Sequence, residues 1–543
     1  MKSPLAVLEL YPPHDSTLRG VFAGRRASRG ENPFLIAGNT NLSWNAFDAA
    51  ATRLASAFHA RGVKHGDRVA IMARNHIGHV LTLLAAARLG AIMVPVNPDF
   101  GPDEARYVLT HAEVAGVIAS AETVATARRA LDGTALEPSL IKPWQILLDG
   151  GDSAAPSLDS AIASAPVAAP PDAGSADDTC VIVYTSGTTG LPKGVMHSQR
   201  NMVAAGEAFV ERVHLQDTDR VMVLLPMFHM NALFYSVAGT LIAGATAIVV
   251  PKFSASTFWQ VAADTGATQV NFIDTIGMIL KSRPRSEYRP DHTLRAIYGV
   301  RENAAPTFRE EFHVTDLFSG FGMTEIPGVT CNPFRAPNKP GSMGVIGRHP
   351  DPAREWAQCR ILDDARNDVA DGEVGELAVK TPIVMQGYFR DPEQTRASFH
   401  DGWFLTGDLV KRDADGFFFY VSRKKDIIRR RGENIAGAEL DRVIGQHPAV
   451  LEVAAIAVPS ELGEDEILAV VVRRAGMQVD AAGIAQWCRE RLAPQKVPRF
   501  VCFVEQLPKT PTHKVAKDKL RKDTSLAARA VDLQQGPRRV DIS

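Results

Sequence analysis

The sequence predicts an α/β protein: a large N-terminal domain of stacked α/β subdomains with a β-rich subdomain, followed by a small α+β C-terminal domain. Three observations carry that prediction. Helix and strand patterns alternate along residues 42–96 and again along 221–325. A glycine-rich section of short apolar runs occupies 341–420, and the charge pattern changes abruptly after Ser422. At 543 residues the chain exceeds what one hydrophobic core usually supports, so more than one domain is expected. The expected division is 1–422, 423–525 and a tail at 526–543.

In the first alternating region an amphipathic segment at 44–61 reads as a helix and the short apolar run 68–72 as a buried strand. A helix through 79–89 and a strand at 91–96 follow. The order strand, helix, strand predicts a parallel layer. The second region offers strands at 221–225, 247–250, 269–273 and 294–298, so two such layers are expected to pack together. Between them, 151–178 is dense in Ala, Ser, Pro, Gly and Asp and reads as a surface linker. Runs such as Gly375-Glu-Leu-Ala-Val379 predict β structure in the third section. The C-terminal region offers strands at 451–458, 467–472 and 500–504 and a helix at 481–492; beyond Leu520 the patterning fades and a peripheral or mobile tail is expected.

Composition narrows the function classes. Lys+Arg 60 against Asp+Glu 61 leaves no basic field for nucleic acid or anionic membrane, so any anion must be gripped locally. The five cysteines form no Cys-x2-Cys pair, which argues against a disulfide framework and a structural zinc site and suits a reducing cytoplasm. The N-terminus reaches Glu9 and Pro12 before any long apolar run and is a poor signal peptide. The longest apolar stretch, 237–251, is too short to span a bilayer, so no transmembrane segment is expected.

One stretch announces chemistry. After the apolar run 180–183 comes Tyr184-Thr-Ser-Gly-Thr-Thr-Gly-Leu-Pro-Lys-Gly-Val195, which reads as a phosphate-gripping turn between a buried strand and a helix. Gly187, Gly190 and Gly194 let the backbone approach an anion, Thr185, Ser186, Thr188 and Thr189 supply hydroxyls, and Lys193 supplies a point charge. The P-loop pattern of many ATPases is absent, because Pro192 stands five residues after Gly187 and Gly194 follows Lys193.

Further segments join it in order: Gly320-Phe-Gly-Met-Thr-Glu325, Leu405-Thr-Gly-Asp408 with Ser422-Arg-Lys-Lys-Asp426, and Pro508-Lys-Thr-Pro-Thr-His-Lys514. Alone, the first is a loop with an exposed Glu, the second a turn followed by a solvated basic run. Together, over roughly residues 42–520, they resemble the adenylate-forming superfamily of acyl-CoA synthetases, adenylation domains and luciferases. Ile427-Ile-Arg-Arg-Arg-Gly-Glu-Asn-Ile435 and Leu507-Pro-Lys-Thr-Pro-Thr512 look like its carnitine/crotonobetaine-CoA ligase branch.

That resemblance implies an ATP-dependent acyl-CoA ligase: a carboxylic acid is activated as acyl-AMP with release of pyrophosphate, then passed to the thiol of CoA. ATP, Mg²⁺ and CoA are the implied cofactors and co-substrates. It also implies the roles. Residues 185–193 hold the β- and γ-phosphates; Glu325 and Thr188 face Mg²⁺; Thr324 contacts the α-phosphate; Phe321 stacks on adenine. Asp408 accepts from the ribose hydroxyls and Arg423 reaches the nucleotide. Lys514 contacts the carboxylate and the α-phosphate, although His513 stands where the family usually has Gly. Lys425 occupies the hinge of a mobile C-terminal domain, Gly432 lines the pantetheine tunnel, and His229 gates it. The acyl pocket falls on Asn231, Phe234, Phe272, Gly277, Val300 and Ile326, and Gly299-Val-Arg-Glu-Asn303 replaces the usual Gly-Gly-Ala-Pro block.

Met230 stands where an amino-acid adenylation domain usually has Asp, which disfavours an α-amino acid substrate. Asp274 or Glu302 could pair with a quaternary ammonium, though an exposed carboxylate is the plainer reading. Carnitine-like, fatty and aromatic acids all stay open. So do delivery to a carrier protein, a nucleotide-binding protein without ligase activity, a phosphotransferase and a homodimer.

Overall fold

The computed structural model describes residues 1–134, 144–148, 150, 155–168, 170, 172–185, 192–430, 433–459, 465–509 and 515–533. The chain forms two compact units, residues 1–359 with 379–404, and 360–378 with 405–543. The boundary expected between Ser422 and Arg423 falls inside the second unit.

The first unit contains two seven-stranded sheets. One runs in the order Asp316–Phe318, Ala296–Tyr298, Gln269–Asn271, Arg220–Val223, Thr246–Val249, Pro33–Ala37 and Thr40–Ser43, parallel except for its last strand. The other runs Gly387–Tyr388, Lys193–Ser198, Thr179–Thr185, Ile92–Val96, Arg68–Met72, Val114–Ala119 and Trp144–Leu147. Its middle strands are parallel and largely apolar, as strands covered on both faces tend to be. Helix Trp44–Ala60 begins where Ser43 accepts a hydrogen bond from the amide of Ala46, and it buries Trp44, Phe47, Leu54 and Phe58. The expected parallel layers are thus present, with their ends shifted by a few residues.

Three expectations change. The glycine-rich loop does not lead from a strand into a helix: Lys193–Ser198 pairs antiparallel with Thr179–Thr185, and helix Gln199–Val213 starts only after that strand, capped by Ser198 and Asn201. The alternation Val195, His197 inward is a strand pattern that the glycines before it obscured. Within the expected linker, Ser157 caps a short helix Leu158–Ala163 that buries Leu158 and Ala161. The described part of the tail expected to be peripheral, residues 521–533, packs instead: Leu526 is buried, and Val531–Asp532 pairs with Phe500–Val504; residues 534–543 lie outside the described residues.

In the second unit, Phe418–Arg423 pairs antiparallel with Trp403–Arg412, and Ile427–Arg430 with Glu433–Ala436. A four-stranded sheet of Val450–Pro459, Asp465–Arg473, Phe500–Val504 and Val531–Asp532 packs against helices Gly437–Gly445 and Ala481–Arg489. This is the α+β arrangement the sequence predicts.

Candidate active site

The ends of the glycine-rich loop are pinned. Tyr184 shares a hydrogen bond of 2.8 Å with His111 Nδ1, and Tyr107 donates to the carbonyl of Pro192 at 3.0 Å. Ser186, Gly187, Thr188, Thr189 and Gly190 lie outside the described residues; Thr185 ends one strand and Lys193 opens the next. Strand Lys193–Ser198 is flanked on its far side by Gly387–Tyr388, with Tyr388 opposite Val195.

That pairing brings the chemistry together. Gly320–Met323 and Ile326–Cys331 form a hairpin whose turn is Thr324-Glu325. Glu325 is 8% exposed, and its Oε1 accepts a hydrogen bond from the Tyr388 hydroxyl at 2.8 Å. The same Tyr388 ring lies 5.3 Å from Lys193 Nζ, which donates to Gln394 Oε1 at 2.8 Å. One aromatic side chain therefore links the candidate phosphate-binding lysine to the candidate metal-facing carboxylate. The carbonyl of Thr324 accepts from His197 Nε2 at 2.7 Å. Burial pushes the His197 imidazole down to about 4, so the ring is neutral at pH 7; a carbonyl only accepts, which places its proton on Nε2.

The candidate acyl side is built on a seven-residue π-helix, Asn231–Val237, a form often found at functional sites. Asn75 holds the approach to it. Its Nδ2 donates to the carbonyls of Leu225 at 2.9 Å and Val250 at 3.1 Å, and its Oδ1 accepts from the amide of Met227 at 2.7 Å. His229 and Asn231 are half-buried at the head of the π-helix, as are Phe321 and Thr324 on the hairpin. Phe234 is fully buried with its ring 4.7 Å from His197. Ile326 and Val300 are buried as well. Phe272 turns toward Phe258 and Phe308 in the core, and Gly277 lies against it, a Cβ there falling 3.3 Å from its ring. Gly299 has φ +113°, and a Cβ would sit 1.7 Å from the carbonyl oxygen of Phe272, so this turn admits only glycine. Asp274 Oδ1 accepts from the amide of Arg301 at 3.3 Å and Glu302 Oε1 from the amide of Gly341, so each candidate ammonium partner already accepts one backbone hydrogen bond.

In the second unit Asp408 is 1% exposed and faces Arg423 across the paired strands, with Arg423 Nε 2.8 Å from Asp408 Oδ1. Arg423 also donates to the carbonyl of Thr406 at 3.0 Å, and Thr406 Oγ1 donates to the carbonyl of Leu377 at 2.8 Å. Lys425 pairs with Asp518 at 3.0 Å. Gly432 and Lys514 lie outside the described residues.

Sequence reasoning missed His197, Tyr388, Gln394 and Asn75. A buried histidine in an otherwise apolar strand was the available signal for the first; Tyr388 and Asn75 carry none, because only the folded sheet brings them to the site.

The arrangement has a family. The model of the AMP-binding enzyme family matches residues 22–389, and that of the AMP-binding enzyme C-terminal domain matches 439–514. The chain belongs to the AMP-binding enzyme family and is an AMP-forming acid–thiol ligase. It is 34% identical to the sulfoacetate–CoA ligase of Cupriavidus necator over 93% of this chain and 97% of that one. It is 32% identical to the feruloyl-CoA synthase of an Amycolatopsis species, over 89% and 94%. With the crotonobetaine/carnitine–CoA ligase of Salmonella agona it shares 29% identity, over 88% and 93%. Among solved structures, ATP-bound MatB from Rhodopseudomonas palustris superposes with a TM-score of 0.81 at 29% identity, covering 94% of this chain and 98% of that one.

Proposed function

We propose that this ligase activates a small carboxylic acid with ATP and Mg²⁺ and transfers it to CoA, through the residues singled out above. A carboxylate oxygen attacks the α-phosphorus, the bond to the β-phosphate breaks, and pyrophosphate leaves. The thiol of CoA then attacks the acyl carbonyl, AMP departs, and the thiol proton is lost. Both partners of the first step are anionic, so catalysis there is chiefly charge neutralisation and positioning.

The observation that supports these roles best is Tyr388, bonded to Glu325 and lying beside Lys193. Residues 185–193 would grip the β- and γ-phosphates and Thr324 the α-phosphate. Phe321 would stack on adenine, Asp408 and Arg423 would hold the ribose side, and Lys514 would bridge carboxylate and α-phosphate. Lys425 is the proposed pivot between the two steps, with His229 and Gly432 lining the approach of the thiol.

No group of three or more His, Cys, Asp or Glu able to cage a metal occurs among the described residues. Mg²⁺ keeps its waters and takes one or two carboxylates plus substrate phosphates. Glu325, with Thr188, would hold it, and it would neutralise phosphate charge.

The test is product analysis with ATP, CoA and a panel of acids. AMP, pyrophosphate and an acyl thioester in equal amounts support the proposal. ADP as the product, or nucleotide binding without turnover, would refute it.

A further inference from the structure

Behind the hairpin that carries Thr324 and Glu325 lies a buried positive charge the activation chemistry does not use. Arg212, on helix Gln199–Val213, is 5% exposed. Among the described residues it pairs with no carboxylate; its guanidinium meets the Tyr235 hydroxyl in a contact too loose for a well-formed hydrogen bond. The guanidinium lies 5.2 Å from the centroid of the Tyr235 ring. A buried cation without a carboxylate partner is costly, and most proteins supply one.

The neighbours define an anion's surroundings. Tyr235 belongs to the π-helix that carries Asn231 and Phe234, and Tyr298 stands against it with ring centroids 5.4 Å apart. Burial raises both phenols above their ordinary value, so both are protonated donors. Burial opposes the charge of Arg212, but its value still lies above the ordinary one and the side chain stays cationic. The hairpin is stripped of side chains where it meets this group. A Cβ on Gly328 would fall 2.2 Å from Arg212 Nη1, one on Gly322 2.6 Å from the Tyr235 hydroxyl, and one on Gly320 3.0 Å from the Tyr298 hydroxyl. Gly328 also sits at φ +85°, a conformation few other residues tolerate. Arg212 thus touches the two elements, π-helix and strand Ile326–Cys331, that carry acyl-pocket candidates Asn231, Phe234 and Ile326. From the Thr324-Glu325 turn to Gly328 is about three strand residues, or roughly 10 Å.

From this arrangement we infer that Arg212, with Tyr235 and Tyr298, forms the far end of the acyl site and selects a short acid that carries a second anionic group, a sulfonate or a carboxylate. The inference rests on the ligase reading above and names the substrate class for it. A quaternary ammonium at the same end would face like charge.

The test compares acid-dependent ATP–pyrophosphate exchange for sulfoacetate, malonate and butyrate in the wild type, Arg212→Met and Tyr298→Phe, with thermal melting of each. The wild type should prefer one of the two dianions to butyrate, and which one it prefers identifies the second anion. Arg212→Met should lower kcat/KM for that dianion about a hundredfold while moving butyrate less than about threefold. Tyr298→Phe, a milder change, should lower the dianion's kcat/KM about tenfold. If Arg212→Met does not fold, the Tyr298→Phe result decides. Equal losses for dianion and butyrate, or a wild type that exchanges with butyrate and neither dianion, would overturn this inference and leave the ligase standing. Exchange with no acid, these or any in a wider panel, would sink the ligase reading, and this inference with it.

Discussion

The hydroxyl of Tyr388 donates to Glu325 Oε1 at 2.8 Å while its ring lies 5.3 Å from Lys193 Nζ, so one residue fixes two of the charged groups assigned to ATP. Tyr388→Phe removes only the hydroxyl. A hydrogen bond to a charged group contributes about 1.5–3 kcal/mol, so pyrophosphate exchange should fall about tenfold to a hundredfold, with a higher Mg²⁺ requirement. A Mg²⁺ titration of the exchange rate checks this. An unchanged midpoint and rate would mean that Tyr388 merely fills space.

His197 predicts a pH signature. Its folded value is about 4 against an ordinary 6.5, because burial disfavours the charged ring. The unfolded chain therefore binds the extra proton first, and the stability the neutral ring confers is complete above pH 6.5 and lost as the pH falls toward 4. The loss is on the order of 2–3 kcal/mol at the acid end. His197→Gln keeps an N–H for the Thr324 carbonyl but does not titrate. Its melting temperature should decline less than that of the wild type between pH 7 and pH 4.5. Parallel declines would contradict the assignment.

Asp408 and Arg423 form a charged pair on adjacent strands, with Asp408 almost wholly buried. Asp408→Asn preserves shape and removes the charge that strengthens its acceptor role. KM for ATP should rise about tenfold at saturating acid, with less effect on KM for CoA. Steady-state kinetics in each substrate would show it, and an unaltered KM for ATP would remove Asp408 from the nucleotide site.

Much of this was legible in the sequence because it rests on local pattern. Apolar runs such as those around Val69 and Val221 are strands that bury both faces. Lys193 was visible because glycines and hydroxyl residues cluster around it, and Glu325, Asp408 and Arg423 because their motifs, taken in order, resemble a known family. What was not legible depends on pairing between distant segments. Tyr388 reaches Glu325 because its strand pairs with Lys193–Ser198, and Asn75 reaches the carbonyls of Leu225 and Val250 because loops from two sheets meet. Helix Leu158–Ala163 was hidden by its brevity and by the alanine- and serine-rich chain around it. Arg212 was invisible for the opposite reason: an arginine in an amphipathic helix reads as solvated, and only the fold shows it buried.

The central claim is that Lys514 bridges the acid carboxylate and the α-phosphate in the first half-reaction. Acid-dependent ATP–pyrophosphate exchange, measured in the wild type and in Lys514→Ala, tests it most directly. Exchange that requires the acid and falls at least about a hundredfold in the variant is the expected result. Exchange of undiminished rate in Lys514→Ala would contradict it.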